Sequence, residues 1–361
     1  MLRFMPSHAQ SAPEGAREAL LAAARERILV TDGAFGTEIQ NWKLSEADYA
    51  GTLDLSHDQK GNNDILALTK PEVPESIHRA YFEAGADIAE TNTFSANRIS
   101  QADYGAENLV REINVESAAM ARRIADEYAA RDGRRRFVAG AIGPTNKTLS
   151  LSPDVNDPGF REIDFDYLKE VYREQADALI AGGADFILIE TVFDTLNAKA
   201  GVMAAQEAGA AIGRDVPIML SMTLTDLSGR NLSGHTVEAF WHAVRHAKPV
   251  TIGLNCSFGA QQLRPHVKTL SEICDTLIMV YPNAGLPNEL GAYDEAPETT
   301  AGLVREWAEA GQVNVLGGCC GSTPAHIKAI ADAVRGLAPR TIPVPPVRTR
   351  LAGLEPFTMA A

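Results

Sequence analysis

Two cysteines stand side by side, Cys319 and Cys320, in the stretch NVLGGCCGSTPAH that runs from Asn314 to His326. Glycines flank the pair, an apolar run precedes it and a helical pattern follows. A third cysteine, Cys256, lies near the end of the run VTIGLNCS, which starts at Val250. Three thiols at one point, with no fourth fixed thiolate or histidine, are what an open catalytic zinc site requires, because structural zinc is closed by four protein ligands. Thiolates also select zinc over magnesium or calcium. Two plainer readings stand beside this one. Cysteines are often small buried hydrophobes, and Cys274, in a helical stretch, reads as one. A GGCCG loop before a helix is also a phosphate-binding turn in outline. No CxxC pair decides among them.

The chemistry of such a site is specific. A free thiol ionises near pH ~8.5, so little of it is thiolate at neutrality. Coordination removes the proton outright. Three protein thiolates already outweigh the double charge of the metal, so an incoming substrate thiolate stays electron-rich. That suits alkyl transfer to a thiol. Hydrolytic zinc sits more often among histidines and carboxylates, and the sequence has no HxH or HExxH among its eight histidines. A zinc hydrolase is therefore disfavoured.

The elements that must position these residues are legible as short apolar runs. They are ILVTDG from Ile28, DIAETN from Asp87, FVAGAIGP from Phe137, DFILIET from Asp185, PIMLSMT from Pro217, VTIGLNCS from Val250, TLIMVYPNAG from Thr276 and VNVLGG from Val313. Continuous rather than alternating apolar character predicts parallel strands buried on both faces. Helical patterns fill the gaps, and the last has Pro324 in its first turn and Gly336 as its stop. Eight strand–helix units predict a (β/α)8 TIM barrel in a single domain. The competing open doubly wound sheet lacks a GxGxxG fingerprint after its first strand. The segment in the 40s to 60s reads as a polar, loop-rich insert. Residues 1–14 read as a loose arm, 15–337 as the barrel and 338–361 as an extended proline-rich tail.

A barrel of this kind carries its site at the C-terminal ends of its strands. Those ends hold Asp32 and the turn Gly33-Ala34-Phe35-Gly36, then Glu90, Glu190, Asn255 with Cys256, Asn283, and the Cys319–Cys320 pair. Adjacent cysteines can converge only where the chain leaves strand geometry, and Gly317, Gly318 and Gly321 permit that. Glu190 and Asp32 suit an ammonium group. The amides of the turn Gly33-Ala34-Phe35-Gly36 suit a carboxylate, with Gly33 and Ala34 as substrate contacts. Asn255 falls among the substrate contacts by position. An amino acid bearing a thiol fits this mouth.

Composition narrows the rest. The chain has 361 residues and a formal net charge of −14, without a basic stripe, so a nucleic-acid partner is not expected. No run is long enough to span a bilayer, and the N-terminus has no secretory core. Four cysteines in so long a chain give no disulfide framework, and a reduced, cytoplasmic setting is expected.

DGAFGTEIQ, ETNTFSAN, GLNCSFG and GGCCGSTPAHI, in that order, resemble the homocysteine S-methyltransferase family over roughly residues 25 to 337. The resemblance implies a zinc-dependent barrel that methylates homocysteine to methionine. It implies Cys256, Cys319 and Cys320 as zinc ligands, Glu190 and the Asp32 turn as homocysteine contacts, and Asn283 as a weak fourth ligand displaced by substrate. GNNDILALTKPEVPESIHRAYFEAGADIAETNTFSANRISQADYG looks like the homocysteine module of cobalamin-dependent methionine synthase, and RLAGLEPF like the linker that follows it. The corrinoid-binding DxHxxG motif is absent. A separate homocysteine subunit is implied, with methylcobalamin as donor on a corrinoid- and folate-binding partner protein. Its rivals are a family member that uses S-methylmethionine or betaine, and a non-catalytic thiol-binding module.

Overall fold

The computed structural model describes residues 15–360; the arm expected over 1–14 lies outside them. The chain opens with α1 (Ala16–Glu26) and β1 (Leu29–Val30), followed by α2 (Phe35–Asn41), α3 (Glu46–Ala50), α4 (Leu66–Thr69) and α5 (Glu72–Ala84). Then come β2 (Ile88–Glu90), α6 (Arg98–Gln101), α7 (Val110–Asp132), β3 (Phe137–Ile142), α8 (Phe165–Ala181), β4 (Phe186–Val192), α9 (Thr195–Ala211) and β5 (Ile218–Met222). The last units are α10 (Val237–Val244), β6 (Thr251–Gly259), α11 (Ala260–Ile273), β7 (Leu277–Asn283), α12 (Pro297–Glu309), β8 (Val315–Leu316) and α13 (Pro324–Val334), with a terminal hairpin of β9 (Arg350–Ala352) and β10 (Pro356–Thr358).

All eight predicted strands form, and they pair in parallel in the order β1-β8-β7-β6-β5-β4-β3-β2. A bridge from Thr31 to Ile88 joins β1 to β2 and closes the (β/α)8 barrel. Helices cover the outside, which is why the strand runs are apolar throughout. Side chains inside the barrel follow the period of two. Phe186, Leu188 and then Glu190 stack up one strand; Leu277, Met279 and Tyr281 stack up another, and the apolar members share one inner cluster. Both of these columns therefore change from apolar to polar as they reach the mouth.

The floor is closed by α1. Ala16, Leu20 and Ala24, spaced four apart on one helix face, are buried against Leu29, Phe137, Phe186 and Met219. The strand-opening aspartates reinforce the same end. Asp87 takes both guanidinium nitrogens of Arg27 at 2.6 and 2.7 Å and caps the Val30 amide. Asp185 pairs with Arg122 at 2.7 Å and caps the Val138 amide.

Two segments are more ordered than their sequence implied. The insert after β1 carries α3, with a capping box between Ser45 and Asp48, and α4. The tail is extended at first and then folds back. The side chain of Arg340, almost fully buried, donates to the carbonyls of Ser271, Cys274 and Thr276, and the β9–β10 hairpin lies on α10. No helix among the described residues is long and apolar enough to cross a membrane.

Leu20 is fully buried at the floor. Leu20→Ala is expected to lower unfolding free energy by about 3 kcal/mol in a denaturant titration; a loss near zero would show that α1 does not seal the barrel.

Candidate metal centre and substrate cavity

β6 leaves regular geometry at the point where it delivers its cysteine. Asn255 faces inward, so Cys256 would face the helices in an unbroken strand. Instead Cys256 and Ser257 both adopt left-handed backbone, at φ 60° and 59°, and the register with β7 shifts between Asn255 and Gly259. Each such non-glycine residue costs roughly 1–2 kcal/mol, and the result is a thiol swung to the mouth. Thr191, at the end of β4, is left-handed as well, at φ 53°.

The adjacent pair needs no such break, because β8 ends at Leu316 and both cysteines lie in the turn beyond it. A side chain on Gly317 would meet Thr31 at 2.2 Å, and one on Gly318 would meet Ser322 at 2.2 Å. Backbone bonds from Gly318 to Asp32, Cys319 to Pro282 and Ala284 to Cys320 tie this turn to β1 and β7.

Cys256, Cys319 and Cys320 come together, with their sulfurs within 4.8 Å of one another. The Cys256 and Cys320 sulfurs are 3.8 Å apart. A tetrahedral zinc bound at about 2.3 Å needs ligand sulfurs about 3.8 Å apart, so the thiols present fit that ion. All three are partly exposed, whereas Cys274 is buried. Asn283 is buried beside them at the end of β7, and its Oδ1 has no hydrogen-bond partner. An orphaned buried acceptor is costly, and a metal-facing oxygen is one way to relieve it.

A cavity of about 660 Å³ opens from the thiols across the barrel mouth. Among the described residues its wall contains Glu90, Glu190, Asp64 and Asp103 but no lysine, arginine or histidine. Burial pushes the Glu190 carboxyl up to about 7, against the hydrogen bond it accepts from the Tyr281 hydroxyl at 3.2 Å. Burial and the charge on Glu190 hold Glu90 well above the usual carboxylate range. Asp32, 1 % exposed, is also raised by burial and accepts the Glu90 amide at 2.9 Å. Three carboxyls thus converge without a cation, which is the environment an ammonium group completes.

The predicted site residues do not all occupy one layer. Gly33 and Ala34 line the cavity, but the Ala34 amide already donates to the Ser322 carbonyl at 3.2 Å. The amides of Phe35 and Gly36 open α2, where a helix offers them no internal acceptor. Asn255 is fully buried behind the wall. Its amide nitrogen donates to Thr191 Oγ1 at 2.8 Å and reaches Cys319 Sγ at 3.8 Å, while its oxygen accepts from Ser221 at 2.6 Å and the Thr191 amide at 3.1 Å. It braces the strand ends rather than facing a ligand. Glu90 and Tyr281 stood at predicted strand ends without a role, and strand-end position was the signal for both. Asp64 comes from the insert, and nothing local marked it.

Residues 29–334 match the sequence profile of the family described as homocysteine S-methyltransferase. Among solved structures, the homocysteine methyltransferase MmuM from Escherichia coli is similar over 88 % of this chain and 99 % of that chain. Its metallated form has 23 % identity and a TM-score of 0.68. Its apo form has 22 % identity and a TM-score of 0.63. At these identities the likeness speaks for the fold.

Two outcomes test the site. Cys256→Ala or Cys320→Ala is expected to lose zinc, measured as metal content after dialysis against a trace of zinc; a variant that retains one equivalent would remove that cysteine from the ligand set. Burial raises Asp64 to about 7, so its protonated form stabilises the fold below the unfolded value near 4, and this contribution disappears as pH rises through about 7. Asp64→Asn is therefore expected to gain stability relative to wild type between pH 4 and 8, by no more than about 4 kcal/mol. A difference in melting temperature that stays flat with pH would contradict this.

Proposed function

The chain belongs to the homocysteine S-methyltransferase family, and from that premise we propose that it methylates homocysteine on sulfur to give methionine at the three-cysteine centre. The observation that carries this reading is the convergence of three thiols, spaced for one tetrahedral ion, beside a buried carboxylate cluster. Cys256, Cys319 and Cys320 would hold zinc, and Asn283 the fourth position until substrate arrives. Bound there, zinc supplies ionisation of the substrate thiol at neutral pH without making it a poor nucleophile.

The remaining work belongs to the protein's own groups. Glu190 and Glu90, with Asp32 behind them, take the ammonium of homocysteine. Its carboxylate meets the amides that open α2. Asn255 holds Glu190 and Cys319 in fixed relation, at 3.5 and 3.8 Å, so the amino group and the sulfur are placed by one brace. Orientation of this kind lowers the barrier of a bimolecular step. The sulfur electron pair forms the new S–C bond, and the pair of the breaking bond leaves with the donor.

The donor assigned by this reading is methylcobalamin, bound by corrinoid- and folate-binding parts outside these 361 residues. It is supported by the segment from Gly61 to Gly105 and by thiols that are reachable at the rim rather than sealed inside. A second reading has an observation of its own. A cavity of about 660 Å³ with acidic groups and no basic ones also suits a small cationic donor such as S-methylmethionine or betaine.

The deciding assay supplies zinc-loaded protein with homocysteine and, separately, methylcobalamin, S-methylmethionine or betaine. Methionine is expected with methylcobalamin and only after zinc is restored to stripped protein. Turnover with S-methylmethionine or betaine alone would move the assignment to the second reading. Homocysteine binding without turnover on any donor or added corrinoid protein would make the chain a thiol-binding module.

A further inference from the structure

Tyr293 lies in the loop between β7 and α12, in a segment without regular structure. Its placement depends on Gly321. A Cβ on that glycine would come within 2.2 Å of the Tyr293 Cβ, so the turn after the cysteine pair leaves room for the tyrosine only as glycine, here at φ 79°. The loop itself is pinned on both sides. The Asn288 side-chain oxygen accepts the amides of Leu290 and Ala292, each at 3.0 Å. The Glu295 carbonyl accepts from His326 Nε2 at 2.9 Å, and its carboxylate accepts from Thr300 at 2.6 Å.

The phenol oxygen meets one member of the centre: it accepts from Asn283 Nδ2 at 3.4 Å. The other end of that amide, Oδ1, is the buried oxygen without a partner.

We propose that Tyr293 is a positioning residue of the thiol centre: its hydroxyl fixes which end of the Asn283 amide is presented to the ligand set. This rests on the zinc reading above. Groups that bond a ligand from behind set its charge and orientation, and losing one typically weakens metal binding by about 10–100-fold. Phenylalanine at this position keeps the ring over Gly321 and removes the bond to Asn283. The Asn283 amide is then free to turn its nitrogen, which cannot ligate, toward the sulfurs.

The test compares wild type with Tyr293→Phe, alone and combined with Asn283→Ala. Zinc affinity is read by chelator competition, and the absorption spectrum of the cobalt-substituted protein is read with and without homocysteine. Tyr293→Phe is expected to melt as wild type does and to bind zinc about tenfold more weakly. Its cobalt spectrum should differ from wild type before homocysteine is added and approach it afterwards, when Asn283 has been displaced. The double variant should lose little more affinity than Asn283→Ala alone, since both changes remove one arrangement. Wild-type affinity and spectrum in Tyr293→Phe, or fully additive losses, would overturn the role of the tyrosine. If wild type itself takes up neither zinc nor cobalt, the metal reading falls, and this inference with it.

Discussion

Negative charge gathered against a wall without cations is the constraint that governs this molecule. Three sulfurs share one corner of the mouth, and Glu90, Glu190 and Asp32 share the next. Water cannot screen them fully, because the carboxyls are buried. The protein alone has two ways to tolerate the arrangement: hold protons on these groups, or admit positive charge from outside. Burial shifts the carboxyls in the first direction. A divalent ion among the sulfurs and an ammonium against the carboxyls would be the second. An amino acid with a thiol is a ligand that relates the two corners, since its charged nitrogen and its sulfur are separated by a fixed short chain.

The barrel makes such a mouth affordable by concentrating its apolar packing elsewhere. The inner columns of β4 and β7 are apolar below and polar in their top layer. Backbone strain is also found at this rim. Left-handed backbone at Thr191, Cys256 and Ser257 sits at the ends of β4 and β6 and nowhere inside the barrel. Asn255 links the two, bonding Thr191 through both ends of its amide while it touches Cys319. The distorted residues are therefore held by the very side chain that spaces the site.

Much of this was legible in the sequence, and the part that was not has physical reasons. The eight strands read clearly because helices cover them, which leaves uninterrupted apolar runs. The three cysteines read clearly because residue type and strand-end position both mark them. The role of Asn255 did not, because the alternation of faces fails one residue later, at Cys256, and a positive φ on a non-glycine residue has no local signature. Glu90 was visible as a strand end, yet its partnership with Glu190 depends on how the closed sheet brings β2 and β4 around one cavity. Asp64 and Tyr293 lie in irregular segments where no period applies. The place of α1 beneath the barrel is a long-range fact, as is the fold-back of the tail onto α10.

The stopper under the barrel bears on traffic. With α1 wedged against the lowest inner layer, the described structure offers no passage from the far end, and reactants and product share one doorway. On the reading proposed above, product leaves past the sulfurs before the next amino acid descends, and the methyl donor approaches from that same side, outside the amino acid.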